Sequence, residues 1–383
     1  MGSPRRDTYT VDAPTSVHGP RRTTTSPAGP QHHHHQMRNA QHPAHPTAPS
    51  IYPSAPSAPD TKTMAPKLSI HPPLLNTACP WATTPAHLEA LLRCPSTGAI
   101  TTRTSLIEGF PHDDAVHRYA FLDPASGLTL ETGPSASPVG SINSLGYSPL
   151  PLDAYLAALS HLSASLPDVK HKTAIVSVAG PPSAVAECYA RILAASDGVS
   201  FPLAIEVNLS CPNIRGASAP PGYDPVCLGA YLAALPGDPL VPVGIKTPPY
   251  TYAGQFTALA DILALYVGRV SFVTATNTLG CSVFNKGEGE GEGEGEGASW
   301  MEGGLAGAGI HPLSLGNVRM LRRALDGRGL AGVQVIGVGG VHDAPGYRRM
   351  RGAGAEAVGL ATALGARGVG VFESIGRDVG SAW

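Results

Sequence analysis

The stretch Ile205-Glu206-Val207-Asn208-Leu209-Ser210-Cys211-Pro212-Asn213 passes within nine residues from an apolar, β-branched run to a polar cluster closed by a proline. Such a run reads as a buried strand, and the cluster as the loop at its C-terminal end. Working outward, strands are predicted at 174–178, 204–209, 243–246, 270–274, 333–338 and 357–360. Between them lie Ala/Leu-rich amphipathic segments, predicted helices at 152–165, 183–195, 229–235, 252–265, 313–325 and 344–353. Strands that alternate with helices form βαβ units and a parallel sheet. Six visible units predict an α/β fold of the (β/α)8 TIM-barrel kind, which needs about 250 residues, rather than a short doubly wound sheet. Active sites of such barrels sit at the C-terminal strand ends, so the cluster at 208–213 lies where chemistry is expected.

The composition bounds the function. Of 383 residues 42% are hydrophobic and 14% charged, enough for a sizeable core. No apolar run approaches the roughly 18 to 20 residues that cross a bilayer, so no membrane partner is expected. A net charge of −2 without a basic run gives a nucleic-acid partner no electrostatic support. Residues 1–66 hold twelve prolines, four consecutive histidines at 32–35 and hardly any Leu, Ile, Val or Phe. They bury too little apolar surface to offset ordering entropy, and read as a disordered Pro/His/Ser-rich extension of a domain at 67–383. The histidine run has no fixed ligand geometry, and without an apolar leader the expected location is the cytoplasm. The six cysteines show no CxxC pairing, as suits reduced thiols there. Strict Gly-Glu alternation at 287–297 reads as a solvated loop.

Other motifs join the first. In Gly244-Ile245-Lys246-Thr247-Pro248-Pro249-Tyr250 a lysine follows a strand, where its ammonium meets an anion or a developing negative charge. Gly337-Val338-Gly339-Gly340 and Gly359-Leu360-Ala361-Thr362 follow the last two strands, the usual phosphate-binding loop pair of barrels. Ser141-Ile142-Asn143-Ser144-Leu145-Gly146 and Ala275-Thr276-Asn277-Thr278-Leu279-Gly280 each read as turns. With Asn208 and Asn213 they supply amides able to read a flat heterocycle. Cys211 reads either as a base or nucleophile or as a small buried hydrophobe. Carboxylate pairs, a Ser-His-Asp set and metal-ligand clusters are missing, which disfavours hydrolases and metalloenzymes; no metal is expected. Dinucleotide and P-loop fingerprints are missing as well.

The order and spacing of Asn208 to Asn213, Gly244 to Tyr250, Ser141 to Gly146, Gly303-Gly304-Leu305-Ala306-Gly307 and the two glycine loops resemble the dihydroorotate dehydrogenase family. The nearest branch is the soluble class 1A, and the likeness runs from about residue 68 to 378. The resemblance implies an FMN-containing barrel that oxidises (S)-dihydroorotate to orotate in pyrimidine biosynthesis, with fumarate as acceptor, in a cytoplasmic homodimer. It implies that Cys211 is the base and that Lys246 sits against the flavin. Asn143, Asn208, Asn213, Asn277 and Thr278 would hold the substrate; Gly339, Gly340, Ala361 and Thr362 would hold the phosphate; Gly304 would let the cofactor approach the backbone. Two departures stand out. Asn76-Thr77-Ala78-Cys79-Pro80 replaces the family's Asn-Ala-Ser-Gly step, and Ile100-Thr101-Thr102-Arg103-Thr104-Ser105 puts Thr102 at the place of a family lysine. Arg103 is expected to point away from that place, since neighbours on a strand face oppositely. The departure leaves two alternatives: a flavin oxidoreductase for another dihydropyrimidine or cyclic imide, and a flavin-binding barrel without turnover.

Overall fold

The structure, a computed structural model, describes residues 65–123, 139–211, 219–285 and 300–383. The extension at 1–64, the Gly-Glu run and Asn213 lie outside the described residues. Twelve strands follow in chain order: β1 (Leu74–Asn76), β2 (Ala99–Thr101), β3 (Tyr119–Leu122), β4 (Gly140–Asn143), β5 (Thr173–Val178), β6 (Leu203–Asn208), β7 (Val243–Lys246), β8 (Phe272–Ala275), β9 (Leu279–Asn285), β10 (Trp300–Gly307), β11 (Gln334–Val338) and β12 (Ala357–Leu360). Eight of them close a parallel barrel in the order β1-β12-β11-β8-β7-β6-β5-β2. Closure comes from β1, which pairs with β12 through Leu74↔Val358 and with β2 through Leu75↔Ala99.

Alternation along the buried strands divides the core. Leu74, Ile100, Ala174, Val176 and Ile205 face the helices, whereas Leu75, Ala99, Ile175, Ala204, Phe272 and Ile336 fill the barrel interior. A side chain at Gly244 would run into the Phe272 ring, so the bare backbone there makes room for the interior's largest residue. Leu68 joins the interior cluster, tied to Gln334 by two hydrogen bonds of 2.8 and 3.0 Å.

Nine helices are described: α1 (Pro85–Arg93), α2 (Leu152–Ser165), α3 (Pro182–Ser196), α4 (Pro225–Ala234), α5 (Ala253–Leu265), α6 (His311–Asp326), α7 (Ala344–Ala353), α8 (Thr362–Arg367) and α9 (Gly370–Val379). Caps set several starts. Asp224 accepts from the Val226 N–H, and this cap with Pro225 begins α4 four residues before the predicted start at 229. Asp343 caps α7 in the same way.

One layer was not anticipated. After β2 the chain builds β3 and β4 before α2, and after β8 it builds β9 and β10 before α6. These excursions form an antiparallel sheet in the order β3-β4-β10-β9, packed on Leu122, Ile142 and Met301. The segment at 141–143 is therefore a strand and not a turn, paired on one edge with β3 and on the other with β10, more than a hundred residues away. The Ser141 hydroxyl lies 2.8 Å from that of Thr362, which ties this sheet to the loop after β12.

Asn285 pairs with Trp300, so the ends joined by the Gly-Glu segment are already adjacent. Deleting residues 287–297 is expected to change unfolding free energy by less than about 2 kcal/mol, because closure entropy varies slowly with loop length. Denaturant titration checks this, and a larger loss would mean that the segment packs on the domain.

Candidate active site

The C-terminal rim of the barrel and the inner face of the second sheet enclose one cleft with two lobes. They share Ala78, Lys246, Asn277, Thr278, Ala306, Ala361 and Thr362.

The glycine-rich lobe spans about 650 Å³ and is bounded by the loops after β11 and β12. Gly339 and Gly340 have φ of 134° and 73°, which places both in the region that favours glycine. A Cβ at Gly340 would approach the Gly307 carbonyl at 2.7 Å, and one at Gly307 would approach the Val139 carbonyl at 2.5 Å. Bare backbone therefore lines this lobe. Arg367 and His342 line it too, and the Arg367 guanidinium donates to the His342 carbonyl at 3.1 Å. Behind the loop, His311 Nδ1 donates to the Gly339 carbonyl at 2.7 Å while Nε2 accepts from Arg349 at 3.2 Å. Only the neutral imidazole makes both bonds. Burial, with a smaller contribution from the Arg349 charge, holds its pKa below the ordinary 6.5.

The second lobe, of about 740 Å³, holds the amide cluster. Asn208 donates to the Thr104 hydroxyl at 3.0 Å, and its Oδ1 accepts from Ser210 Oγ at 2.7 Å and from Asn277 at 3.4 Å. Asn277 also donates to Ser210 Oγ at 2.9 Å, and its Oδ1 accepts the Thr278 N–H at 2.8 Å. Asn143 lines the same lobe and donates to the Gly304 carbonyl at 3.3 Å. Half-buried Cys211 faces the same space from the loop after β6. Lys246 is 3% exposed and reaches both lobes from the end of β7, donating to the Thr77 hydroxyl at 3.2 Å.

Two expectations need correction. Thr102 does not face the cleft: it is fully buried in the barrel wall, where its hydroxyl accepts the Ser177 N–H at 3.1 Å. Arg103 lines the lobe instead, 9% exposed: Thr102 and Arg103 do face oppositely, but in phase with interior Ala99 and helix-facing Ile100 it is Arg103 that turns inward. Its N–H bonds the Ala82 carbonyl at 2.9 Å and its guanidinium the Tyr147 carbonyl at 3.1 Å; among the described residues no carboxylate pairs with it. Gly304, read as the cofactor's approach point, pairs with Asn143 inside the second sheet and lines neither lobe; Gly307, at the end of β10, does. The sequence reading also missed Arg367 and Thr104. The local pattern around 362–367 would have shown a short helix, and nothing in it marked the residue that turns back to the cleft.

Cys79, from the substituted β1 step, is a second thiol in this lobe, and burial pushes its pKa up to about 12. Arg103 and Lys246 both act against that rise, so two positive charges reach this end of the cleft. Among the described residues, neither lobe is lined by Asp or Glu, and no cluster of three or more His, Cys, Asp or Glu is placed to hold a metal ion. In the same described set no helix is long and apolar enough to cross a membrane.

The family model for dihydroorotate dehydrogenase matches residues 135–382. The chain belongs to the dihydroorotate dehydrogenase family. It is an oxidoreductase of that family. A dihydroorotate dehydrogenase (fumarate) of Trypanosoma cruzi is 32% identical over 242 residues, 62% of this chain and 71% of the relative. Dihydroorotate dehydrogenase A (fumarate) of Lactococcus lactis subsp. cremoris is 27% identical over 288 residues, 75% and 83% of the two chains. The crystal structure of an Eimeria tenella dihydroorotate dehydrogenase with ferulenol shares the fold, with a TM-score of 0.59 over 80% of each chain at 16% identity. The family match begins at residue 135, so β1 and β2 and the loops after them that carry Cys79 and Arg103 lie outside it.

The neutral His311 gives a pH prediction. Below pH 6.5 the unfolded chain binds more protons than the folded one, so this group makes stability fall as pH drops through that range. Unfolding midpoints should therefore fall more steeply with acid in the parent than in His311→Gln, and equal slopes would contradict the assignment.

Proposed function

We propose that this member of the family oxidises dihydroorotate to orotate with bound FMN, passing electrons to fumarate, as a cytoplasmic homodimer in pyrimidine biosynthesis. The observation that carries this reading is the charge of the cleft: Arg103, Lys246 and Arg367 line it with no carboxylate among the described residues. A buried cation without a counter-ion is unfavourable, so such a cleft is suited to anions. FMN brings a phosphate and dihydroorotate a carboxylate, one for each lobe.

The residues fit FMN. The glycine-lined lobe admits a phosphate against bare backbone at Gly339, Gly340, Ala361 and Thr362, with Arg367 as the nearby positive charge. Lys246, between the lobes, is the cation for the flavin ring. Bound there, FMN supplies a two-electron acceptor for the substrate's hydride. Arg103 offers a planar fork to the carboxylate. The Asn208, Asn277 and Asn143 amides, with Thr278, are the donors and acceptors for the ring, and Asn213 belongs with them by resemblance. Cys211 takes the proton from the ring carbon. Arg103 lines the same lobe as Cys211. Fumarate enters from the relatives' names, and the homodimer and cytoplasmic location from the family resemblance. The alternative of another cyclic imide or dihydropyrimidine was favoured by Thr102, and the Arg103 guanidinium in the cleft supports the dihydroorotate reading over it.

Arg103→Gln is expected to weaken orotate binding by about 30-fold, the loss of one charge-assisted pair near 2 kcal/mol, while binding of uracil, the same ring without a carboxylate, stays unchanged. Titration of the FMN-loaded protein reads both, and equal weakening of the two ligands would remove the carboxylate role. Cys211→Ala should keep its FMN and lose at least about a hundredfold in flavin reduction by dihydroorotate, the usual contribution of a positioned base. An unchanged rate would remove the thiol from the mechanism.

A further inference from the structure

The loop after β11 contains a peptide unit with glycine on both sides, Gly339-Gly340. The two residues have φ of 134° and 73°, and neither carries a Cβ to oppose rotation of the unit between them. The Gly339 carbonyl and the Gly340 N–H point oppositely across a trans peptide, so half a turn would exchange their directions. Hydrogen bonds therefore choose. The preceding peptide is held by Thr276, whose N–H donates to the Val338 carbonyl at 3.1 Å, and the following one by His342, whose Nδ1 donates to the Gly340 carbonyl at 3.0 Å. For the unit between them the one partner among the described residues is His311, whose Nδ1 donates to the Gly339 carbonyl at 2.7 Å.

The direction of both His311 bonds is obligatory. A carbonyl accepts and never donates, so Nδ1 carries the proton. The Arg349 Nε–H donates and never accepts, so Nε2, at 3.2 Å, carries the lone pair. His311 lines neither lobe, whereas Gly340 lines the glycine-rich one. A carbonyl turned back onto His311 leaves the Gly340 N–H turned the other way, toward the cleft. Among the described residues that N–H has no hydrogen-bond partner, and an open backbone N–H at the wall of a cleft is a donor for an anion.

We propose that His311 is a positioning residue: by holding the Gly339 carbonyl it keeps the Gly340 N–H aimed at the phosphate of FMN. The inference rests on the reading of the glycine-rich lobe as the phosphate site. Arg349 assists by holding the far nitrogen of the ring. Because the Gly340 N–H serves the phosphate and not the flavin ring, losing the His311 donor separates FMN from riboflavin, which has the same ring and no phosphate.

The test titrates the full-length chain with FMN and with riboflavin, followed by flavin fluorescence, in the parent, His311→Phe and His311→Asn. Phenylalanine fills the place of the ring without a donor, and asparagine returns an amide N–H close to the place of Nδ1. Thermal unfolding reports folding in each. The expected result for His311→Phe is a loss of about tenfold in FMN affinity, that of one hydrogen bond to a charged group, with riboflavin affinity within about twofold of the parent. His311→Asn is expected to recover most of the FMN affinity. An FMN affinity within about twofold of the parent in His311→Phe would overturn the proposal, as would equal losses for the two flavins or a His311→Asn as weak as His311→Phe. If His311→Phe does not fold, nuclear magnetic resonance of the parent decides. A protonated Nδ1 on His311 and a Gly340 amide proton that moves downfield with FMN but not with riboflavin are then expected, and the absence of either overturns the proposal. A parent that binds FMN no more tightly than riboflavin removes the phosphate-site reading and this inference with it, whereas a parent that prefers FMN beside an unaffected His311→Phe removes the inference alone.

Discussion

The pairing of β1 with both β12 and β2 is the constraint on which the rest depends. Three residues, Leu74–Asn76, join the first and last units of the chain and bring eight strand ends to one rim. Asn76 strengthens this closure: its side chain donates to the Thr101 carbonyl at 2.6 Å and accepts the Thr101 N–H at 2.9 Å, so a buried amide joins the ends of β1 and β2. Once closed, the barrel brings Lys246 from β7, the amides after β6 and β8 and the glycine loops after β11 and β12 around one space. Residues far apart in sequence then meet, as Thr77 and Lys246 do across 169 positions and Ser141 and Thr362 across 221.

That space collects positive charge in a chain whose net charge is −2. The enrichment comes from placement, since among the described residues the acids lie elsewhere. Glu206 is held inside the wall by hydroxyls, and the carboxylates of Glu187, Asp153, Asp261 and Asp326 pair with arginines away from the cleft. A cation-lined cleft whose polar groups are already cross-bonded is preorganised for an anionic ring, and little reorganisation remains when the ligand arrives.

Much of this was legible in the sequence, for reasons that can be named. The strands β5, β6, β8 and β11 are buried almost throughout and therefore read as near-continuous apolar runs. Helices α2 and α7 match the periodic pattern at both ends. Strands β1 and β2, at three residues each, are too short to show a period, and they were approached only through the family resemblance. The second sheet escaped because β4 and β10 are rich in glycine and polar residues, so their strand pattern does not show in the sequence, and the pairing that joins them spans more than a hundred and fifty residues. The same limit explains the site. Cys211, Lys246 and the asparagines follow apolar runs that mark them, and the structure gathers them with the glycine loops. For Arg103 the alternation itself holds, but the family's pattern assigned the inward phase to Thr102, and a three-residue strand gives no period from which to read that phase. Gly304 was preferred to Gly307 because a glycine's role depends on what its missing Cβ would touch, and sequence alone does not say.

The central claim is that this cationic cleft performs dihydroorotate oxidation. The most direct measurement is anaerobic mixing of the purified, FMN-loaded full-length protein with L-dihydroorotate while the visible flavin absorbance is followed. The account predicts that the band bleaches and that orotate appears in amounts matching the flavin. A flavin that keeps its colour in the presence of saturating dihydroorotate would contradict it.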